Sequence, residues 1–146
     1  MTNQELEIIL VEDNANDIEL ILRAFKRNDF KNKVTVLRDG AEAIEYILGK
    51  GKFAENNTQD IAKVVFLDLR LPKVDGLDVL KAIKTDEKMK VIPVVVLTSS
   101  NAEKDIAESY RLGANSYLVK PLDFEKFTRL ASVAQSYWLM VNHHPS

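Results

Sequence analysis

The stretch Val64–Gly76, VVFLDLRLPKVDG, decides how the rest of the chain is read. Four apolar residues run without interruption and stop at Asp68. A continuous run of this length suits a strand buried on both faces of a parallel sheet, whereas a half-wet strand would alternate. Pro72 and Gly76 then mark a turn, and Asp75 precedes a helical pattern carrying Leu80 and Ile83.

The same unit recurs on both sides. Ile8–Val11 (IILV) and Ile92–Leu97 (IPVVVL) are also continuous apolar runs, while Val34–Leu37 and Tyr117–Val119 are shorter and polar-flanked, which suits sheet edges. Between the strands lie helical faces. Ile18, Ile21, Leu22 and Phe25 follow helical spacing, and Asp39 with Glu42 forms a capping pair before Ile44, Ile47 and Leu48. Asn101 precedes a helix with Ile106 and Tyr110 that Gly113 stops, and a last helix follows Pro121, is capped by Asp123 and runs past Trp138. Gly49–Asp60 reads as one polar surface loop. Strand and helix thus alternate five times, which calls for right-handed crossovers and an α/β parallel sheet with helices on both faces.

Composition narrows the function. The 146 residues fit one domain with one core, and 46% hydrophobic with 29% charged residues is ordinary for a globular chain. A formal net charge of -2 favours neither nucleic acid nor an anionic membrane. There is no cysteine, which excludes disulfides, thiolate catalysis and cysteine-based zinc sites. No apolar run reaches the roughly 18 residues of a membrane span, and the polar N-terminus lacks the pattern of a secretory signal. The expectation is a cytoplasmic protein.

In an open parallel sheet the functional crevice lies at the carboxyl ends of the strands. Strand 1 ends in Glu12 and Asp13, strand 3 in Asp68, strand 4 in Thr98 followed by Ser99 and Ser100, and strand 5 in Lys120. Taken singly, these residues have ordinary explanations: helix caps, a Ser/Thr turn, a solvated lysine. Taken together they make one chemistry. Clustered carboxylates repel and call for a cation, and hard oxygens with open positions suit Mg²⁺. A metal, an ammonium and a hydroxyl stabilise the oxygens of a transferring phosphoryl group, and an aspartate is a competent nucleophile. Asp68, on the central strand, is the expected acceptor.

At this point ILVEDN (9–14), FLDLRLPKVDG (66–76), VVVLTSS (94–100) and SYLVKP (116–121) resemble, in order, the motifs of the receiver domain of two-component response regulators. The resemblance covers about 6–129. It implies a flavodoxin-like (βα)5 fold with strand order 2-1-3-4-5 and one receiver domain over 1–146, with an extended C-terminal helix at about 122–141, a tail at 142–146 and no output domain. It implies that Asp68 is phosphorylated, that Asp13, Asp68 and the backbone carbonyl of Arg70 bind Mg²⁺ with Glu12 acting through water, and that Thr98 and Lys120 contact the phosphoryl group. Tyr117 matches the switch aromatic, and the Lys120–Pro121 bond is expected to be cis. Arg70 and Ser100 are expected beside the path of the hydrolytic water, where Arg70 shields the phosphate.

More narrowly, the VEDNxxD start, the long loop before strand 3, the segment DIAESYRLGANSYLVKP (105–121) and YWL (137–139) resemble stand-alone regulators that pair with bacterial phytochrome kinases. The implied partners are a histidine kinase or phosphotransfer protein, phytochrome-like, and a downstream protein, with neither nucleic acid nor membrane. The implied output is a self-phosphorylating and self-dephosphorylating switch rather than a turnover enzyme. Phe127, Ala131, Ala134 and Trp138 form one apolar stripe of the last helix and Leu130, Val133, Tyr137 and Met140 a second. Packing needs only one, so the surplus points to a homodimer through helix 4, strand 5 and helix 5. His143 and His144 read as tail residues.

Three other readings stay open: a phosphorylation-independent binding module, an aspartyl-nucleophile phosphatase, and a flavodoxin-like cofactor protein. The phosphatase class begins with DxD on its first strand, where this chain has Glu12-Asp13-Asn14, and no phosphate-binding loop rich in Gly or Ser/Thr follows strand 1.

Overall fold

A computed structural model describes residues 6–54 and 62–144. The five apolar runs form one parallel sheet of β1 (Glu7–Val11), β2 (Val34–Leu37), β3 (Lys63–Leu67), β4 (Val94–Thr98) and β5 (Ser116–Val119), in the order β2-β1-β3-β4-β5. The shorter, more polar runs occupy the edges, as expected. Pairing is in register from Ile8 opposite Val64 to Val11 opposite Leu67 in the centre of the sheet.

Alternation along the buried strands divides the core in two. Ile8, Leu10, Val64, Phe66, Val95 and Leu97 face α1 (Ala15–Arg27) and α5 (Phe124–Ser136). Ile9, Val11, Val65, Leu67, Val94 and Val96 face the side covered by α2 (Gly40–Leu48) and α3 (Gly76–Thr85). β1, β3 and β4 are buried along their whole length. This is why their sequences carry no period-two pattern. A polar stitch joins α1 to α5: the Asn28 amide donates to the Ser132 carbonyl at 3.0 Å and to Gln135 at 2.7 Å, and the Ser132 hydroxyl donates to Asn28 at 2.9 Å.

Several local expectations are corrected. β4 starts at Val94 rather than Ile92, because Pro93 has no N–H to give the ladder. Asn101 precedes α4 (Glu103–Arg111), as expected, with Ala102 at the cap position. The Ser100 hydroxyl takes that region, accepting from the Ala102 N–H at 3.3 Å and donating to Asp105 at 2.5 Å. Tyr110 is half exposed rather than packed, since α4 leans on the sheet edge where little apolar surface is left to cover it. Asp75 precedes α3 as expected, at the cap position but without a side-chain bond. Asp39 does cap α2 through the Glu42 N–H at 2.7 Å, but the Glu42 carboxylate turns to Lys52 at 3.1 Å instead of completing a capping box. Within the expected loop, Gly51–Phe53 forms a 3-10 turn whose Phe53 stacks edge-on against Tyr46, and 55–60 lie outside the described residues. α5 ends at Ser136, and a wider π turn carries on over Tyr137–Val141.

Gly76 ties this architecture to the strand-end residues. Its N–H donates to the Leu69 carbonyl at 2.8 Å, and a Cβ there would lie 2.4 Å from both the Asp68 carbonyl oxygen and the Leu69 Cα. Both obstacles are backbone and cannot rotate aside. Gly76→Ala is therefore expected to destabilise the fold by about 1–3 kcal/mol through forced backbone displacement, read from urea unfolding midpoints.

Candidate functional site

The ladder extends one residue beyond three strand ends and so fixes the residues that follow. The Glu12 N–H donates to the Leu37 carbonyl at 3.0 Å, the Asp68 N–H to the Val11 carbonyl at 3.0 Å, and the Lys120 N–H to the Thr98 carbonyl at 2.7 Å. Glu12, Asp68 and Lys120 continue the alternation of Leu10, Phe66 and Leu118, so their side chains rise on the α1/α5 side. Three strands, β1, β3 and β5, thus deliver polar groups to one rim without local propensity for that site.

Lys120 stands at the centre. Its ammonium lies 2.5 Å from Glu12 Oε1, 2.8 Å from Asp17 Oδ2 and 3.0 Å from Asp68 Oδ2, with only 7% of its side chain exposed. The bond between Lys120 and Pro121 is trans, as are all described peptide bonds, contrary to the expected cis geometry. The four methylenes of Lys120 carry the ammonium to the carboxylates without that bend.

Glu12, Asp13 and Asp68 each offer an oxygen such that all lie within 4.8 Å of one another. Glu12 and Asp68 are buried and Asp13 is exposed, an arrangement of two fixed carboxylates and one open to water. The second Asp68 oxygen accepts from the Arg70 N–H at 3.3 Å, and the Arg70 side chain is exposed. Thr98 is fully buried, and its hydroxyl has no hydrogen-bond partner. Such a group costs about 1–3 kcal/mol unless an acceptor arrives. Tyr117, half-buried, donates to the Ser100 carbonyl at 2.9 Å and so ties β5 to the start of the β4–α4 connection.

The electrostatics follow from burial. Burial raises the Glu12 carboxyl, the Lys120 hydrogen bond opposes this, and the Asp68 charge adds to the rise, leaving it at about 7. Burial works in the same sense on Asp68, but the charge and hydrogen bond of Lys120 outweigh it and hold Asp68 below the ordinary carboxylate range. Burial would strip the proton from Lys120, yet the hydrogen bonds to Asp17 and Glu12 and the charge of Asp68 push it upward. Asp68 is therefore held in its ionised form beside a charged Lys120. Three carboxylates around one ammonium, with Asp13 beside them, leave surplus negative charge. Clustered hard oxygens of this kind suit a divalent cation.

The strand-end residues singled out from the sequence meet here: Glu12, Asp13, Asp68 and Lys120 directly, with Thr98 lining the same rim and Tyr117 one step away. Sequence reasoning missed the role of Asp17. It appears in VEDNxxD, but on its own reads as a first-turn helix acid. The clue was its spacing: one turn beyond Glu12, past the Asn14 cap, on the side facing strand 5.

Residues 8–132 match the family model described as the response regulator receiver domain. The chain belongs to the response regulator receiver family. It is 44% identical over 138 residues to the probable methanogenesis regulatory protein FilR2 of Methanothrix harundinacea, covering 94% of this chain and 86% of that protein. It is similar to the phosphorylated cyanobacterial phytochrome response regulator RcpA, with a TM-score of 0.88 at 39% identity over 96% of this chain and 98% of that one. The Mn²⁺-bound form of Rcp1, a response regulator of Synechocystis, aligns with a TM-score of 0.88 at 34% identity over 96% and 99% of the two chains. The flavodoxin-like topology expected of a receiver is the one observed. Among the described residues no helix is long and apolar enough to cross a membrane.

Removing the central cation exposes the repulsion it holds in check. Lys120→Met is expected to cost on the order of 3 kcal/mol of stability at neutral pH, because buried carboxylates are left unpaired. A millimolar divalent cation should recover most of that loss, and should raise the melting temperature of Lys120→Met more than that of the unsubstituted protein.

Proposed function

We propose that this chain is a stand-alone response regulator of a two-component phosphorelay that accepts a phosphoryl group on Asp68 in the presence of Mg²⁺. The observation that carries the reading is the Asp68 carboxylate set between the Lys120 ammonium and the carboxylates of Glu12 and Asp13, beside the buried Thr98 hydroxyl. Mg²⁺, held by Asp13, Asp68 and the backbone carbonyl of Arg70 with Glu12 acting through water, would neutralise charge on the phosphoryl oxygens. Asp68 attacks phosphorus as its bond to a donor histidine breaks, and the histidine leaves with the bonding electrons. Lys120 and the Thr98 hydroxyl then stabilise the equatorial oxygens.

Movement of the Thr98 hydroxyl toward the phosphoryl group opens space that Tyr117 fills by leaving the Ser100 carbonyl. Two arrangements of the β4–α4 connection are thereby coupled to the acyl phosphate. The protein acts as a switch that gains and loses its own phosphate rather than as a turnover enzyme, and it works in the cytoplasm. The donor is a histidine kinase or phosphotransfer protein. Similarity to RcpA, a phytochrome response regulator by name, favours a phytochrome-like kinase. Incubation with acetyl phosphate and Mg²⁺ is expected to add the mass of one phosphoryl group to the protein. Neither Asp68→Asn nor a chelator-treated sample should gain it, and labelling of Asp68→Asn to the same extent would defeat the assignment.

The readout we assign to α4, β5 and α5 includes a homodimer. Val133, Tyr137 and Met140 stay 60%, 47% and 45% exposed, while Phe127, Ala131 and Trp138 of the opposite stripe are buried. A groove of about 380 Å³ between β5 and α5, lined by Leu118, Leu130, Val133 and Tyr137 among others, continues the apolar surface. Val133→Asp would place a charge in that surface. Sedimentation is expected to show its dimer weakened by at least about tenfold, equivalent to about 1.4 kcal/mol, with the monomer fold unchanged by circular dichroism.

A further inference from the structure

Three carboxylates surround Lys120 Nζ, and they are not equivalent. Glu12 and Asp68 also belong to the acidic trio, whereas Asp17 comes from α1 and stands outside it. An ammonium has three N–H donors, and all three are matched here. A divalent cation entering the trio would draw on the oxygens of Glu12 and Asp68 and would repel the ammonium that shares them. With no third partner, Lys120 would either compete for the same oxygens or sit buried without one, and both are costly.

Asp17 is held in place to meet this need. The Asn14 N–H donates to Glu12 Oε2 at 3.2 Å, and the Asn14 side chain accepts from the Asp17 N–H at 3.0 Å. The first turn of α1 is thereby tied back to Glu12. Its Oδ2 reaches an ammonium 103 positions along the chain. An acidic residue present only to complement the helix dipole would need no such partner.

We infer that Asp17 is a positioning residue that gives Lys120 a carboxylate of its own, so that the ammonium and a divalent cation occupy the pocket together. This rests on the Mg²⁺-dependent reading above, but its test does not use phosphorylation. Mg²⁺ binding is measured by calorimetry on the full chain in a double-mutant cycle of Asp17→Asn and Lys120→Met. Asp17→Asn is expected to weaken Mg²⁺ binding roughly tenfold when Lys120 is present. In the Lys120→Met background the loss should be at least about threefold smaller, because only long-range charge is removed there. Asp17→Glu, which keeps the carboxylate, should recover most of the affinity.

Equal losses in both backgrounds would overturn the inference, since they would reduce Asp17 to a general negative charge. So would an unchanged affinity in Asp17→Asn, or a protein that binds no Mg²⁺ at all. Melting curves without metal verify folding, and Asp17→Ser replaces Asp17→Asn in the cycle should the latter unfold. A protein that binds Mg²⁺ with this coupling yet takes no phosphoryl group would sink the phosphorylation reading and leave the role of Asp17 standing.

Discussion

A buried ammonium sets the terms for everything around it. With so little of Lys120 in contact with water, its charge must be met by oxygens in every direction its protons point, and those oxygens cannot come from one segment. Glu12 arrives from the end of β1, Asp17 from the first turn of α1, and Asp68 from the end of β3. The parallel sheet brings these ends together because each strand is extended by one further ladder bond. The core therefore depends on the rim as well as the reverse: two apolar layers hold the strands in register, and the charges confine the loops that leave them.

That confinement is uneven. The β1–α1 connection is closed by Asn14 between Glu12 and Asp17, and the β3–α3 connection by Gly76 against the Asp68 backbone. The β4–α4 connection is held differently. Its Thr98 hydroxyl is buried with no partner, while Ser100 is engaged at both its hydroxyl and its carbonyl. A buried hydroxyl left without a partner would be stabilised by any arrangement that brought it an acceptor. Under the proposed function the arriving phosphoryl oxygen supplies the missing acceptor, and the Tyr117 bond to Ser100 is the contact given up in exchange.

Much of this was legible in the sequence because the site residues directly follow apolar runs. Glu12, Asp13, Asp68, Thr98 and Lys120 stand out by position alone, and the two edge strands followed from which runs were short, while the full strand order came from the resemblance. What was hidden depended on competition between neighbours. Nothing local says that Ser100 rather than Asn101 organises the start of α4, or that Glu42 prefers Lys52 to the N–H of Asp39. Both choices are settled by groups that the fold brings within reach. Asp17 was hidden for a further reason: its partner lies at the other end of the chain, and a first-turn aspartate is unremarkable until that partner is located. The expected cis bond before Pro121 failed because a resemblance conveys a family habit, whereas the reach of a lysine side chain already meets the need.

The π turn at the end of α5 changes how that helix meets its surroundings. The Asn142 N–H reaches back five residues to the Tyr137 carbonyl at 2.8 Å. Inserting one residue into a turn shifts the angular phase of all that follow by about 100°. Two consecutive large side chains, Trp138 and Leu139, can then both turn inward, at 8% and 2% exposure. The helix terminus is wedged against the body of the domain rather than left to fray, and Tyr137, Met140 and Val141 project from an anchored base. A partner meeting that surface would find its backbone already anchored, so the entropy usually lost in organising a terminal helix would be smaller on association.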